Sequence, residues 1–391
     1  MPARRRRTQA ALVASMLLVV LAVSGCASRE KGLPLEGTST GAAPVKIGLA
    51  VPLTGDEAVY GLGMKRAVEL ALKEANDSGD VRDAGRRFDL FAVDDRGDPK
   101  QAVSVANGIV ADTDVVGVVG HFDSGCSLPA SKVYQDAGVP MISVSSDPLL
   151  TAQGYDVVNR IVAKDDAQGA FAADLMRKKL GFARVGVVDD STPYGKGLVA
   201  EFVERFESGG GTVVLRETVH AKDVDFSALT ARMKAAKVQA IYYGGAPTEG
   251  ALISKQAKGL GLKTPLVGGD VLHTPEYIRI AGAANAAGDI CTSLGLPLEQ
   301  QPRGSDFKAA YREEYSQDPE VWDSYAYDCA WALVRAVLEA GPDRAKVADA
   351  LRSMAFDGVT GEFRFDGDGD TSNKAISAYR VTGTAWRQVI E

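Results

Sequence analysis

Clusters of hydroxyl, carboxyl and aromatic side chains recur directly after apolar segments of this chain. Five groups share this position: Thr54–Gly55 with Tyr60, His121–Gly125, Ser145–Asp147, Asp189–Asp190 with Tyr194, and Gly269–Asp270. The carboxyl ends of parallel strands meet at one edge of an open sheet, where helix N-termini attract anions. A single group of this kind has an ordinary structural explanation, because Ser, Thr and Asp are common N-cap residues of helices. Five groups at corresponding strand ends favour a shared binding cleft.

The chain lacks common catalytic motifs. Its histidines, His121, His220 and His273, stand in no H-E-x-x-H pattern, and no G-x-x-x-x-G-K-[ST] loop occurs. Gly61 and Gly63 open a predicted helix, but a dinucleotide-binding loop would need a third glycine, and that position is an arginine. No cofactor is predicted.

One acidic pattern, Asp366-x-Asp368-x-Asp370, is similar to the start of a calcium loop. Thr371 and Ser377 stand where such a loop needs glycine and glutamate. A turn rich in Gly and Asp is the favoured alternative, so no metal site is predicted.

The elements that position these groups follow a repeating pattern. The first series has strands at 45–51, 88–93, 115–120 and 140–144, with helices at 61–76, 100–110 and 127–136. The second has strands at 184–188, 212–218, 240–243 and 265–268, with helices at 196–207, 226–236, 249–258 and a short one from 275. A mixed tail follows, with a strand at 289–292, helices at 307–315, 325–340 and 346–353, and strands at 361–365, 376–380 and 386–390. Short apolar strands alternating with amphipathic helices predict an α/β fold with two open, mostly parallel sheets, and the tail is expected to complete both domains.

The N-terminus has the features of a secretory leader. Arg4–Arg7 precede an apolar run, Ala10–Val23, which is shorter than the roughly 20 residues of a membrane-spanning helix. Small residues then lead into Cys26, a pattern that resembles a bacterial lipoprotein signal. We therefore expect a signal peptide at 1–25, a lipid on Cys26 and a flexible tether at 26–44. An ordinary secretory signal with an incidental cysteine, or a twin-arginine signal, are the alternatives.

Composition narrows the function class. The chain has 391 residues, of which 46% are hydrophobic and 24% are charged, so it is long enough for two packed domains. Removal of Arg4–Arg7 lowers the 44 basic residues to 40 against 51 acidic ones, a net charge of about −11. Without a basic patch, no nucleic-acid partner is expected. With Cys26 lipidated, three cysteines remain (Cys126, Cys291 and Cys329), and buried thiols are slightly favoured over one disulfide.

Motifs along residues 45–391 resemble branched-chain amino acid ABC-transporter solute-binding proteins. The similar segments are VKIG at 45–48, PLTG at 52–55, YG at 60–61, DD at 94–95, DPKQA at 98–102, GHFDSGCS at 120–127, PAS at 129–131, YGKG at 194–197, DFS at 225–227, YYGG at 242–245, GLG at 259–261 and WDSYAYD at 322–328. The resemblance implies the type I periplasmic-binding-protein fold, in which two lobes close by hinge motion on one ligand. It implies lobe I at 45–162 plus 291–360, lobe II at 163–290 plus 361–391, and three crossings near 160–164, 290–294 and 356–361.

The resemblance also implies roles for individual residues. Ser124, within the ligand loop that includes Phe122 and Asp123, matches the hydroxyl that receives a ligand carboxylate. Ser145 and Ser146 match positions that contact the carboxylate and the ammonium. Asp270 stands at the place of the acidic residue that pairs with the ammonium. Tyr60 and Tyr194 match aromatic walls of the side-chain pocket.

Some positions depart from the family pattern. Ala246 replaces an aromatic residue, Glu320 falls near an apolar pocket position, and Gly97 and Asp123 stand where some relatives have a disulfide. The resemblance therefore implies a pocket that is roomier or more polar than one for leucine. Leucine, isoleucine or valine is the default ligand, while other amino acids, short amides and aromatic acids stay open.

The resulting hypothesis is a non-enzymatic solute-binding protein of an ABC importer. It is expected to be a monomer outside the cytoplasmic membrane, anchored by lipid, that delivers its ligand to permease subunits. A ligand-sensing receptor of the same fold is the alternative. A remote alternative is a surface hydrolase with Ser124 as nucleophile and His121 as base.

Overall fold

The computed structural model describes residues 44–389. The predicted signal peptide, Cys26 and all of the predicted tether but residue 44 lie outside these residues. Within 44–389, no helix combines the length and the apolar character that crossing a membrane requires.

The first sheet contains five parallel strands in the order β2-β1-β3-β4-β5. The strands are β1 (Val45–Val51), β2 (Phe88–Asp94), β3 (Val115–Gly120), β4 (Met141–Ser143) and β5 (Val158–Arg160). The helices of this part are α1 (Ala58–Asp77), α2 (Gly79–Asp83), α3 (Pro99–Ala111), α4 (Ser124–Ala137) and α5 (Leu149–Ala152). All six residues of β3 are buried, as expected for a strand covered by helices on both faces.

The second sheet contains seven strands in the order β14-β13-β10-β9-β8-β6-β7. Its parallel strands are β6 (Arg184–Asp189), β7 (Thr212–Thr218), β8 (Ala240–Gly244), β9 (Leu266–Gly268) and β10 (Ile290–Leu294). The helices are α6 (Asp165–Asp174, continued by a π-helical turn at Leu175–Lys179), α7 (Pro193–Ser208), α8 (Ser227–Ala235), α9 (Pro247–Gly259), α10 (Pro275–Ala281) and α11 (Ala283–Ala286). Short 3-10 turns occur at Asp270–Leu272 and Leu298–Gln300.

The C-terminal part supplies elements to both sheets. Its elements are α12 (Gly304–Tyr315), α13 (Asp323–Ala340), α14 (Arg344–Ser353), β11 (Phe356–Gly358), β12 (Gly361–Phe363), β13 (Ile376–Thr382) and β14 (Ala385–Gln388). α13 packs along α1, and the β11–β12 hairpin buries its phenylalanines in the core of the first sheet. β13 and β14 extend the second sheet as antiparallel strands. We call the first sheet with its helices, α12–α14 and the hairpin the first lobe, and the rest the second lobe.

Both sheets reverse their strand order at the same point. β1 lies between β2 and β3, and β6 lies between β7 and β8, so the helices that follow leave on opposite faces. Such a reversal opens a crevice at the carboxyl ends of the strands, which is where open α/β sheets bind ligands. The topology therefore places the polar groups after β1, β3 and β6 at the two crevices.

The chain passes between the lobes three times. The first passage lies between β5 and α6, at 161–164. The second comes after Leu294, because β10 pairs with β13 over its whole length and with β9 at Ile290 and Cys291. Residues 291–294 therefore lie in the second sheet, whereas the prediction assigned them to the first lobe. The third lies within 364–375 rather than at 356–361, because Phe363 and Phe365 pack in the core of the first lobe. The other predicted lobe boundaries stay a prediction.

A buried charge network ties the first and third passages together. Arg160, which is fully buried, donates from Nε and Nη2 to Asp370 Oδ1 at 3.0 and 2.7 Å. Lys164 and Thr151 also contact the Asp370 carboxylate, at 3.2 and 3.0 Å. The Asp366–Asp370 segment forms a turn in which Asp366 Oδ1 accepts three backbone N–H groups. These contacts agree with the interpretation of this acidic pattern as a turn rather than a calcium loop.

Candidate ligand-binding site

A cavity of about 160 Å³ lies between the carboxyl ends of the two sheets. Residues of the first lobe that follow β3 and β4 line one side, and residues of the second lobe that follow β6, β8 and β9 line the other. Drug-sized ligands need pockets of roughly 300 Å³ or more, so this cavity suits one small metabolite.

A larger cavity, about 440 Å³, lies in the first lobe among α12, α13 and the β11–β12 hairpin. Its lining comes mainly from helices and the hairpin rather than from the strand ends of the two sheets, and two of its acidic groups have partners within the protein. Glu74 accepts from the Tyr327 hydroxyl, and Asp328 accepts from the N–H groups of Val359 and Thr360. The smaller cavity at the strand ends is therefore the candidate site.

Three serines of the first lobe line the candidate cavity. α4 begins at Ser124, three residues earlier than predicted, so the Ser124 N–H belongs to the first turn of a 14-residue helix. The N–H groups of a first turn have no intrahelical acceptor, and the helix dipole favours an anion there. Ser145 Oγ lies 3.4 Å from Ser124 Oγ, and Ser146 lines the same wall. Hydroxyls beside free N–H groups form a suitable receptor for a carboxylate.

Asp270 lies on the opposite lobe and is 4% exposed. It begins the 3-10 turn after β9, and its Oδ1 accepts from the Tyr194 hydroxyl at 2.9 Å. Burial raises the pKa of Asp270, and hydrogen bonds from Gln168 and Tyr194 oppose this rise. A buried carboxylate is stable only with a partner, and a ligand ammonium in the cavity would be one.

The predicted aromatic walls divide into two layers. Tyr194 and Phe122 line the cavity, and the Phe122 ring meets Trp322 edge-on with centroids 5.6 Å apart. Tyr60 stacks behind Phe122 at 5.1 Å and does not line the cavity, contrary to the expectation for a wall residue. Its hydroxyl instead donates to the Val271 carbonyl oxygen of the second lobe at 2.7 Å. Tyr60 therefore links the two lobes beside the cavity.

The structure adds cavity residues that sequence reasoning missed. Glu57, Gly97, Thr192 and Trp322 all line the cavity, and Asp190, noted in sequence only as a residue after a strand, joins them. Of the departures from the family pattern, Ala246 lies in the wall as expected. Glu320 lies outside this cavity. The position of Glu57 could have been found from its place in the loop after β1, in the same turn as Thr54–Gly55.

The Ser124–His121 pair that a hydrolase would need is not formed. His121 Nδ1 lies 2.6 Å from Asp95 Oδ2, and Nε2 lies 3.1 Å from the Tyr134 hydroxyl. Both ring nitrogens are therefore engaged inside the first lobe, away from Ser124. Among the described residues, Cys126, Cys291 and Cys329 are buried and unpaired.

Comparison with known protein families identifies the class. The sequence model described as periplasmic binding protein matches residues 44–385. The chain belongs to the periplasmic binding protein family. Proteins of this family bind solutes outside the cytoplasm, and the predicted fold class and solute-binding role are confirmed.

Individual relatives of this periplasmic binding protein have related names. It is 35% identical over 341 residues to the Leu/Ile/Val-binding protein homolog 1 of Brucella abortus (86% of this chain, 90% of the relative). It is 34% identical over 380 residues to the leucine-, isoleucine-, valine-, threonine- and alanine-binding protein of Pseudomonas aeruginosa (96% and 98%). Its fold matches the branched-chain amino acid transporter substrate-binding protein LivJ of Streptococcus pneumoniae, crystallised with isoleucine, with a TM-score of 0.79 and 28% identity (89% and 100%).

Proposed function

We propose that this periplasmic binding protein captures one α-amino acid between its lobes and delivers it to the permease of an ABC importer. The names of its relatives make leucine, isoleucine and valine the first ligands to test. Aromatic acids fit less well, because a ligand without an ammonium would leave the buried Asp270 unpaired.

One observation carries this proposal: a carboxylate receptor and a buried carboxylate occur on opposite lobes of one small cavity. Ser124 at the start of α4 would bind the ligand carboxylate, assisted by Ser145 and Ser146. Asp270 would bind the ligand ammonium, oriented by the Tyr194 hydroxyl. A zwitterion satisfies both sides at once, so it would hold the lobes together.

Ligand binding would couple to lobe closure about the three passages. The Arg160–Asp370 contact fixes the first passage to the third, and Arg160 Nη1 also donates to the Ser145 carbonyl oxygen at 3.3 Å. The hinge is thus connected to the serine wall of the cavity. We propose that the lobes rotate about this network, and that only the closed form docks on the permease.

The anchor proposed for this chain is lipid on Cys26. Two or three acyl chains, at about 0.8 kcal/mol per buried methylene, would retain the protein at the membrane. Mass spectrometry of protein extracted from membranes should find acyl groups on the N-terminal residue of the mature chain, at Cys26. A Cys26→Ser variant should appear in the soluble fraction, and membrane retention of that variant would contradict the proposal.

The ligand proposal is tested by calorimetry on the protein extracted from membranes in a mild detergent and freed of bound solute. A ligand at 100 times its Kd should raise the free energy of unfolding by about 2.7 kcal/mol. Ser124→Ala and Asp270→Asn should each weaken binding of every amino acid that binds. The absence of heat and of stabilisation across all amino acids would contradict the proposal.

A further inference from the structure

The charged side chains that line the cavity are all acidic. Four carboxyl residues contribute to its wall, namely Glu57, Asp123, Asp190 and Asp270, and the lining formed by the described residues has no Lys, Arg or His. The proposed function uses only Asp270. The other three carboxyls therefore need a separate explanation.

Asp190 is explained by the protein itself. Its Oδ1 accepts from the Thr192 N–H at 3.0 Å, and its Oδ2 accepts from the Ala246 N–H at 3.0 Å. These bonds join the loop after β6 to the loop after β8. Asp190 is therefore a structural residue of the second lobe.

Asp123 has no such explanation. Its Oδ2 is closed off from solvent and accepts from no N–H or hydroxyl group within 44–389. The side-chain partner of its carboxyl group is another acid, Glu57, and a hydrogen bond between the two requires that one of them holds a proton. The position that a Cβ would take on Gly97 lies 3.2 Å from this oxygen and 3.0 Å from Glu57 Oε2. The two carboxyls therefore flank one small space in the first lobe, which glycine at position 97 leaves open.

The surroundings of this pair are mostly negative. Burial raises the pKa of Asp123 well above its usual range, and repulsion from Glu57 and the hydrogen bond with Glu57 raise it further. Burial also raises the pKa of Glu57; the hydrogen bond with Asp123 opposes this rise, and the charges of Asp95, Asp190 and Asp56 add to it. Asp95 also raises the pKa of Asp123 and His121 lowers it, but the His121 Nδ1 lies 2.6 Å from Asp95 Oδ2. The pair thus lacks a cation of its own.

We infer that the ligand is an α-amino acid whose side chain carries a second positive charge, which ends between Glu57 and Asp123. This inference rests on the proposed function, since Ser124 and Asp270 would hold the α-carboxylate and α-ammonium. The methylene stem of such a side chain would pack against Phe122 and Trp322, which also line the cavity. A purely aliphatic side chain would leave the buried Asp123 oxygen unpaired.

Matched ligand pairs test this inference by calorimetry on the protein in detergent. Lysine and norleucine, and ornithine and norvaline, differ chiefly by the terminal amino group. We expect the amino-terminated member to bind at least tenfold tighter in at least one pair. Equal or weaker binding of both amino-terminated members, or binding of leucine alone, would overturn the inference and leave the proposed function standing. If no amino acid binds, the proposed function fails as well.

Variants locate the effect within the cavity. Asp123→Asn and Glu57→Gln keep the shape of each side chain, and each should reduce the preference for lysine over norleucine to threefold or less. A circular-dichroism spectrum like that of the wild type shows that each variant is folded. Asp56→Asn is the matched control, because it removes one charge at an exposed neighbouring position, and it should keep the full preference. A preference that survives both cavity substitutions would overturn the inference.

Discussion

Two buried carboxylates at the boundary between the lobes differ in one respect. Asp370, in the third passage, contacts the Arg160 guanidinium at 2.7 Å and the Lys164 ammonium at 3.2 Å. Asp123, at the cleft, has an oxygen that accepts from no N–H or hydroxyl group among the described residues, and its carboxyl group faces another acid, Glu57. The hinge therefore carries its own countercharge, whereas the cleft lacks one.

This difference separates what stabilises the fold from what serves binding. Where a buried carboxylate has a fixed cation, removal of either partner leaves the other charge uncompensated and lowers the stability of the protein. A buried carboxylate without a cation lowers stability until a ligand supplies the charge. Sites tuned for ligands commonly show such unmatched groups. The comparison predicts opposite responses of the two regions to substitution and to pH.

The largest expected effect is at the hinge. Asp370→Ala leaves the fully buried Arg160 without its partner, so we expect a loss of about 3–5 kcal/mol in the free energy of unfolding. Urea denaturation measures this loss. Asp368→Ala, two residues away and exposed, is the control and should change stability by less than about 0.5 kcal/mol. Equal effects of the two substitutions would show that the network does not stabilise the hinge.

The next effect is on ligand affinity. Asp270→Asn removes the charge proposed to bind the α-ammonium, and truncation of one partner in a buried charge pair costs about 2–5 kcal/mol. We expect Kd for the best amino acid to rise by at least about 30-fold, at 1.4 kcal/mol per tenfold. A ligand analogue without the α-amino group supplies the control, because it lacks the partner of the Asp270 charge and should bind the variant at least as tightly as the wild type. A similar loss for that analogue would place the role of Asp270 in the fold.

Stability should depend on pH with opposite sign in the two regions. Burial raises the pKa of Asp123 in the folded protein. The stability that protonated Asp123 gives the empty protein is therefore lost as the pH rises above about 4, the pKa of Asp in the unfolded chain. Burial favours a higher pKa for Asp370, but Arg160 outweighs burial and lowers the pKa. The stability that ionised Asp370 gives the protein is therefore present above about pH 4 and lost as the pH falls. Asp123→Asn should therefore gain stability relative to wild type as pH rises, while the deficit of Asp370→Asn should shrink as pH falls. Urea midpoints between about pH 2 and 8 test this, because the Asp370 contribution changes only below about pH 4. Parallel curves for the two variants would contradict it.

The sequence was sufficient to predict the sheets because their strands are long apolar runs. β1, β3 and β7 have the predicted limits, and β3 shows why most clearly, since it contains only valine and glycine and lies between Asp114 and His121. β5 was missed because it has three residues, one of which is the buried Arg160. α6 was missed because small residues such as Gly169 give it little apolar periodicity, although they allow close contact with α7.

The site was predictable where it depends on strand ends and unpredictable where it depends on tertiary packing. Ser124 and Asp270 follow strands directly, so topology brings them to one cavity. Glu57 reaches the cavity only because the loop after β1 folds over Gly97. The displacement of Tyr60 from the wall follows from its stacking on Phe122, which no sequence spacing encodes.

The smallest expected effect concerns a neutral contact across the cleft. Tyr60→Phe removes the hydroxyl that donates to the Val271 carbonyl oxygen at 2.7 Å and keeps the ring that stacks on Phe122. One neutral hydrogen bond contributes about 0.5–1.5 kcal/mol, so Kd should rise by roughly two- to tenfold. If the lobes separate when the cavity is empty, the stability of the empty protein should not change, because the bond exists only in the closed form.

Tyr134→Phe is the matched control, since its hydroxyl contacts His121 within the first lobe, and it should lower stability without changing Kd. The reverse pattern would be a Tyr60→Phe variant that destabilises the empty protein and leaves Kd unchanged. It would mean that the Tyr60–Val271 contact, like the Arg160–Asp370 contact of the hinge, persists without ligand.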